Sequence, residues 1–282
     1  MSHVIALVFD FDDTLTPDST TQLLVHHGID PEDFWGNKVA KRVLAGWDPT
    51  LAFLEEIFVL TKPGNPLEGL SNAALFEFGK TLKFYPGLPD IFEELRAITR
   101  EYPLTLPTIE VYVISGGFEQ LIRGSTIAPF LTDCWGVSCV ELEDTHTIAR
   151  PSRIVDFTAK TRFLFEINKG VGKDGRSNPF LVNEYLSPDK RRVPFSNIVY
   201  CGDGLTDVPS FSVVQARGGT TFALFDPARP SGVKRAWEKF LLPKRVSNMC
   251  FPRYTADDEL GVLLRMAVRS ICSQLETSAK IG

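Results

Sequence analysis

The chain has 282 residues, of which 44% are hydrophobic and 23% are charged, and its net charge is −5. This composition is that of an ordinary globular protein and argues against a disordered chain. Lys190–Arg192 is a short basic run that we interpret as a solvated loop. We therefore expect no nucleic-acid partner, because nucleic-acid binding needs a basic face that displaces counterions.

The cysteines and the N-terminal residues indicate the compartment. The five cysteines are scattered and form no CxxC pair, so neither a zinc site nor a disulfide framework is indicated, and a reducing compartment fits best. The first apolar run is interrupted at Asp10, too early for a signal peptide or a membrane span. We expect a cytoplasmic protein with no membrane partner, and the sequence leaves the oligomeric state open.

Four apolar runs predict the strands of a parallel sheet. They are residues 4–9, 109–114, 197–201 and 220–225. Continuous runs rich in β-branched residues are typical of strands that are buried on both faces. Because these runs alternate with helical patterns, we predict an α/β fold with a doubly wound parallel sheet.

The segment between the first two strands is long enough to form a small domain. Its apolar residues suit helices, and the clearest helix is predicted at 51–60, closed by Lys62-Pro63-Gly64. We predict that residues 17–84 form a helical cap, and that residues 1–16 and 85–282 form the core. Further helices are predicted at 88–100 and in the tail, at 257–275.

Polar residues follow three of the predicted strands. Asp10 and Asp12 come after the first strand, and Ser115-Gly116-Gly117-Phe118 comes after the second, where we expect a helix to begin. Gly202-Asp203-Gly204-Leu205-Thr206-Asp207 comes after the third. Because ligands bind beyond the carboxyl ends of the strands in such sheets, the three stretches should meet at one edge.

Each stretch also has an ordinary structural interpretation. An acidic turn, a capped turn and an N-cap serine would explain them one at a time. Together they indicate phosphate chemistry with a divalent cation. Carboxylates beside a phosphate site need a neutralising cation, magnesium prefers oxygen ligands, and a helix N-terminus binds phosphate.

The three stretches resemble the first, second and fourth motifs of the haloacid-dehalogenase-like (HAD-like) phosphatases. The Ser-Gly-Gly-Phe form and the position of the cap resemble the phosphoserine-phosphatase-like branch. The resemblance extends from residue 4 to about residue 226, and the motifs occur in the family's order. It implies a HAD-like Rossmannoid core and Mg²⁺-dependent hydrolysis of a small phosphorylated metabolite, a phosphomonoester, through a phospho-aspartate intermediate.

The resemblance also implies roles for the acidic residues. Asp10 would be the nucleophile and a magnesium ligand. Asp12 would be the general acid and base, with its backbone carbonyl on the metal. Asp203 would complete the metal ligands, and Asp207 would orient the site from behind them.

The remaining matched residues would bind the phosphoryl group. Ser115, the Gly116 amide and Thr14 are assigned to phosphate binding by the same resemblance. The family's third motif is a lysine that pairs with the nucleophile, and we place it at Lys160. Lys169 and Lys173 are the alternatives, because the stretch before Asp203 is longer than phosphoserine phosphatases usually have.

Two departures from the family pattern leave phosphoserine unassigned as the substrate. The cap region that carries a glutamate in phosphoserine phosphatases reads Asp18-Ser19-Thr20-Thr21, and Thr206 stands where the fourth motif usually has Asn. Arg42 lies roughly where a cap arginine could meet a substrate carboxylate, although a solvated helix face is the simpler interpretation.

Three other functions share parts of these motifs. A phosphomutase would use the same nucleophile, and a catalytically silent module would bind a phosphometabolite without turning it over. Dehalogenation is less favoured, because it needs no metal and would not require Asp12 or Asp203.

Overall fold

The structure is a computed structural model that describes residues 3–172, 178–226 and 230–281. The described residues form a seven-stranded sheet of order β4-β3-β2-β1-β5-β6-β7. Neighbouring strands are parallel, except that β3 and β4 are antiparallel. The strands are β1 (Val4–Phe9), β2 (Thr108–Phe118), β3 (Asp133–Glu141), β4 (Ile148–Arg153), β5 (Ile198–Gly202), β6 (Thr220–Leu224) and β7 (Asn248–Cys250). The predicted α/β fold class is confirmed.

β1 is the central strand and is buried on both faces. Ile5, Leu7 and Phe9 belong to the core cluster on one face of the sheet, and Ala6 and Val8 belong to the cluster on the other. This double burial explains why the strand reads as a continuous apolar run rather than as an alternating one.

Helices cover both faces of the sheet. They are α1 (Ser19–His26), α2 (Ala40–Leu44), α3 (Pro49–Leu60), α4 (Asn72–Gly79), α5 (Asp90–Thr99), α6 (Glu119–Gly124), α7 (Phe157–Lys169), α8 (Val208–Gln215), α9 (Pro230–Ala236) and α10 (Glu259–Ile281). Two further segments, Glu32–Val39 and Trp237–Leu241, are π-helical. Among the described helices, none is both long and apolar enough to cross a membrane.

The strongest sequence patterns correspond to observed elements. All four predicted strands are present, and the helices predicted at 51–60, 88–100 and 257–275 are α3, α5 and α10. α3 begins where local chemistry favours a helix start, because the Asp48 carboxylate accepts a hydrogen bond from the Leu51 amide and Pro49 occupies the first turn.

Residues 17–84, which we call the cap, contain α1 to α4 and the first π-helical segment. The second half of the cap is joined to the core by hydrogen bonds. The Ile148 amide donates to the Leu70 carbonyl, and the Asn72 amide donates to the Glu141 carboxylate. α4 also packs closely on α6, since a Cβ on Gly124 would lie 1.9 Å from the Phe76 carbonyl. The boundaries of the cap at 17 and 84 stay a prediction.

Candidate active site

The site lies at the carboxyl ends of β1 and β5. β1 pairs with β2 on one side and with β5 on the other, so loops leave this point in opposite directions and open a crevice. The Asp10 amide donates to the Cys201 carbonyl at 2.9 Å, which holds the end of β1 beside the end of β5. As a result, carboxylate oxygens of Asp10, Asp203 and Asp207 lie within 4.8 Å of one another.

The Asp10 carboxylate is nearly buried and has a fixed orientation. One oxygen accepts from the Phe11 amide at 2.7 Å, and the other lies 2.8 Å from the Lys160 ammonium. Burial raises the pKa of Asp10 to about 7, and the attraction of Lys160 opposes this rise. A further positive charge nearby would favour the ionised form of this carboxylate.

Lys160 is the lysine that the fold brings to Asp10. It lies on the first turn of α7, which the Asp156 carboxylate caps by accepting from the Thr158 and Ala159 amides. Lys160 as a whole is 1% exposed, and its ammonium lies 2.8 Å from carboxylate oxygens of both Asp10 and Asp207. Burial by itself lowers the pKa of Lys160, but the two carboxylates outweigh burial, so the net shift is upward and the ammonium keeps its charge.

Of the two alternative lysines, Lys169 lies elsewhere. The Lys169 ammonium donates to the carbonyls of Val182 and Glu184, at the far end of α7 from Lys160. Lys173 lies outside the described residues.

Asp207 is held by three donors. One carboxylate oxygen accepts from the Lys160 ammonium at 2.8 Å and from the Tyr200 hydroxyl at 2.7 Å, and the other accepts from the Gly204 amide at 2.9 Å. Gly202 makes this arrangement possible, since a Cβ there would lie 2.5 Å from the Asp207 carboxyl carbon. Through these contacts Asp207 holds the Lys160 ammonium beside Asp10, and the predicted role of Asp207 in orienting the site stays a prediction.

Tyr200 is a residue that sequence reasoning missed. It is fully buried in β5, and its hydroxyl is one of the three groups that hold Asp207. The signal was present, because a tyrosine inside an otherwise apolar buried strand needs a partner for its hydroxyl.

Asp12 lies in a different environment from Asp10. One of its oxygens accepts from the Ser19 amide at 2.6 Å, and the other lies 3.5 Å from the Ser115 hydroxyl. Burial, with a smaller contribution from the Asp18 charge, raises the pKa of Asp12 to about 8. A carboxyl with this pKa carries a proton near neutral pH, which suits a general acid.

The expectation that a helix begins at Ser115 is wrong. β2 continues through Phe118, and α6 begins only at Glu119. The pairing with β3 shifts register between Ile114 and Phe118, and such irregularities redirect side chains near sites. The Ser115 hydroxyl accepts from the Gly117 amide at 2.9 Å, within the strand itself.

A cavity of about 400 Å³ opens at this point. Of the predicted site residues, Asp10, Asp12, Gly116, Lys160 and Asp203 line it. The structure does not bring the Thr14 side chain to this cavity among the described lining residues. Thr14 is fully buried, and its carbonyl accepts from the Tyr254 hydroxyl at 2.8 Å.

The acidic residues fit a hard divalent cation. Burial raises the pKa of Asp203 well above its usual value, and the charges of Asp10 and Asp207 raise it further. Clustered buried carboxylates with raised pKa values are stabilised by a cation, and oxygen-only ligands suit Mg²⁺. The carboxylates of Asp10, Asp203 and Asp207 lie close enough together to hold such an ion.

Arg42 does not reach this cavity. Its guanidinium forms an ion pair with Glu56 and lies 4.9 Å from the centre of the Trp47 ring. These contacts are with other residues of the cap, and Arg42 does not belong to the described lining of the cavity.

The chain is similar in sequence to a bacterial protein. No protein-family model matches it. It is 31% identical, over 239 residues, to an uncharacterized protein of Borreliella burgdorferi, and the match covers 75% of this chain and 79% of that one.

Solved structures show the fold. A HAD family hydrolase from Salmonella enterica serovar Typhi has a TM-score of 0.59 at 17% identity, covering 94% of this chain and 71% of the other. A phosphoserine phosphatase captured as an analogue of its phospho-aspartyl intermediate has a TM-score of 0.54 at 16% identity, covering 93% and 98%. The chain therefore belongs to the same family as the Borreliella burgdorferi protein, and its fold is that of the HAD-like hydrolases, among which phosphoserine phosphatases are structural neighbours.

Proposed function

We propose that this protein is a Mg²⁺-dependent phosphatase that hydrolyses a small phosphomonoester through a phospho-Asp10 intermediate. One observation carries the proposal. The Asp10 carboxylate pairs with the buried Lys160 ammonium at the edge of a cavity that Asp12 and Asp203 also line. A nucleophile, a cation for the phosphate and a protonated acid are thus available within one crevice.

The metal would be held by the carboxylates of Asp10 and Asp203 and by the backbone carbonyl of Asp12. When bound, Mg²⁺ supplies positive charge that neutralises the phosphoryl oxygens and keeps the nucleophilic carboxylate ionised.

In the first step, a carboxylate oxygen of Asp10 attacks phosphorus, and the bond from phosphorus to the ester oxygen breaks. Asp12 gives its proton to that ester oxygen, so that the product leaves as a neutral alcohol. Asp10 then carries the phosphoryl group as an acyl phosphate. In the second step, Asp12 takes a proton from water, and the water oxygen attacks phosphorus. The bond between Asp10 and phosphorus breaks and inorganic phosphate leaves, while the proton taken from water restores the acid form of Asp12.

The surrounding residues position these groups. Lys160 is oriented by Asp207, which Tyr200 holds in turn, so its ammonium stays within 2.8 Å of the Asp10 carboxylate. The backbone amides at Gly116 and Gly117 border the cavity and would donate to the phosphoryl oxygens. Phosphoryl transfer depends mainly on positioning and on charge neutralisation, which are the two properties that these residues supply.

The test is phosphate release from 4-nitrophenyl phosphate with and without Mg²⁺. Wild-type protein should release phosphate only with the metal, and Asp10→Asn should abolish release. Asp144→Asn is the matched control, because Asp144 is exposed in a loop. Retention of full turnover by Asp10→Asn would remove the mechanism.

Beryllium fluoride separates the proposal from a silent binding module. It mimics an acyl phosphate, so it should form a stable adduct on wild-type protein with Mg²⁺ and none on Asp10→Asn. A protein that binds phosphometabolites but forms no adduct and shows no turnover would be the silent module instead.

A further inference from the structure

The part of the cavity beyond the phosphate is contributed by the cap, and its chemistry bears on the substrate. The apolar side chains that the cap places there are Trp35, Val39, Pro49 and Phe53. Thr20 and Thr50 add polar groups without charge, and Asp18 adds a carboxylate that also caps α1. We call the four apolar side chains the apolar wall. The leaving group of a phosphorylated molecule in this cavity would therefore contact the apolar wall.

This wall is held in place. The Trp35 indole N–H donates to the Thr21 hydroxyl at 2.9 Å, which fixes the ring. The Trp35 and Phe53 rings lie 5.9 Å apart, and Phe53 in turn lies 6.1 Å from Phe118 at the end of β2. A fixed aromatic surface binds an apolar group with little loss of side-chain freedom.

The same cavity contains little positive charge. Among the described residues that line it, Lys160 is the only cation, and its ammonium is engaged with Asp10 and Asp207. A second anionic group on a substrate would lie near Asp13 and Asp18 with no cation to pair with it. An unpaired charge in a partly desolvated site is strongly unfavourable.

Arg42, which could have supplied that cation, is paired with Glu56 and packed against Trp47. The described lining of the cavity thus offers no second cation to a substrate carboxylate. A larger groove of about 930 Å³ adjoins the cavity and shares Asp13, Asp18 and Trp35 with it, so a leaving group can extend past the tryptophan. The lining of this groove also includes Lys83 and His26, which do not belong to the described lining of the cavity.

From these contacts we propose that the phosphate is the only anionic group that the substrate places within the cavity, and that the leaving alcohol packs an apolar face against Trp35 and Phe53. This inference rests on the proposed phosphatase function. It excludes, as preferred substrates, phosphorylated carboxylic acids whose carboxylate stays within the cavity, phosphoserine included.

An isosteric pair of esters tests the charge. We expect kcat/KM for 4-carbamoylphenyl phosphate to exceed that for 4-carboxyphenyl phosphate by at least about tenfold, since a polar mismatch in a site is rejected more strongly than a change in size. Equal rates, or faster hydrolysis of the carboxylate ester, would overturn the inference.

Trp35→Ala tests the apolar wall. It should lower kcat/KM for benzyl phosphate by about tenfold and change the value for ethyl phosphate by less than about twofold, because only the benzyl group reaches the ring. Trp35→Phe should restore most of the loss. Trp47→Ala, on the same cap but outside the cavity, is the matched control and should change neither value. An equal loss for both esters would contradict the proposed contact.

Binding of phosphonates keeps this test separate from catalysis. 4-Carbamoylbenzylphosphonate should bind at least about tenfold more tightly than 4-carboxybenzylphosphonate in calorimetry, for the same reason of charge. If neither phosphate ester is hydrolysed while this preference is present, the proposed reaction fails and the inference on the ligand stands. If hydrolysis occurs and the preference is absent, the inference fails and the proposed reaction stands.

Discussion

Replacing Lys160 by methionine keeps the length of the side chain and removes its charge. The wild-type ammonium lies 2.8 Å from carboxylate oxygens of both Asp10 and Asp207, and its side chain is 2% exposed. Removing one partner of a buried ion pair usually costs about 3–5 kcal/mol, because the remaining charge has no compensation. We therefore expect Lys160→Met to lower the free energy of unfolding by that amount, out of a total of about 5–15 kcal/mol for a typical domain.

Urea unfolding measures this loss, and a second substitution tests its cause. Adding Asp207→Asn to Lys160→Met removes one of the two uncompensated carboxylates. The double variant should therefore be more stable than the sum of the single effects predicts, with a coupling of about 0.5–3 kcal/mol. Additive effects would refute the view that the charge pairing holds this site together.

The same variant tests the assignment of the phosphate lysine. Loss of a fixed cation at a transferring group typically lowers kcat by about 10²–10³-fold. Lys169→Met is the control, because the Lys169 ammonium donates only to main-chain carbonyls, those of Val182 and Glu184, in the described contacts. A loss of activity in Lys169→Met as large as that in Lys160→Met would show that the phosphate lysine is misassigned.

Three further predictions concern the groups around the nucleophile. Gly117→Ala should lower kcat for an alkyl phosphate by about 10²–10⁴-fold, measured at saturating substrate, because its Cβ would lie 2.6 Å from an Asp12 carboxylate oxygen and displace the general acid. Tyr200→Phe should lower the free energy of unfolding by about 1.5–3 kcal/mol in urea, because the charged Asp207 loses a buried donor. Mg²⁺ at 100 times its Kd should raise the wild-type unfolding free energy by about 2.7 kcal/mol, measured by thermal unfolding with and without EDTA, and Asp203→Asn should lose this gain.

Each of these variants has a control. Gly36→Ala adds a Cβ that meets no atom within 4 Å, and Tyr185→Phe removes a hydroxyl from a side chain that is 87% exposed. Asp144→Asn removes an exposed carboxylate and should leave the magnesium effect intact. Contrary results would be a normal alkyl phosphatase rate in Gly117→Ala, a stability change in Tyr200→Phe no larger than that in Tyr185→Phe, or a magnesium effect that survives in Asp203→Asn.

The central strands were predictable because burial on both faces leaves a continuous apolar run. β3 and β4 were not, since neither has such a run. β3 contains Gly136, where a Cβ would lie 2.7 Å from the Glu119 amide, so close packing on α6 rather than a local preference sets that residue. β4 contains Pro151, which a strand tolerates at a sheet edge, and its pairing with β3 is antiparallel.

The acidic residues of the site were predictable because they follow buried strands in a fixed pattern. The apolar wall of the cavity was not predictable from the sequence. Trp35 lies in a π-helical segment and Phe53 on α3, and in the sequence both are indistinguishable from core residues. Their position at the cavity depends on how the cap packs against the sheet, which local sequence patterns do not encode.

The two carboxyl groups of the first motif have different surroundings, and this difference supports their proposed division of labour. Asp10 faces the Lys160 ammonium and lies within 4.8 Å of Asp203, so a bound cation would lower its pKa from about 7 and leave it ionised. Asp12 instead faces the Asp18 charge and the Ser115 hydroxyl, and burial raises its pKa to about 8. Separating two carboxyl pKa values through their environments allows one group to attack while the other donates a proton.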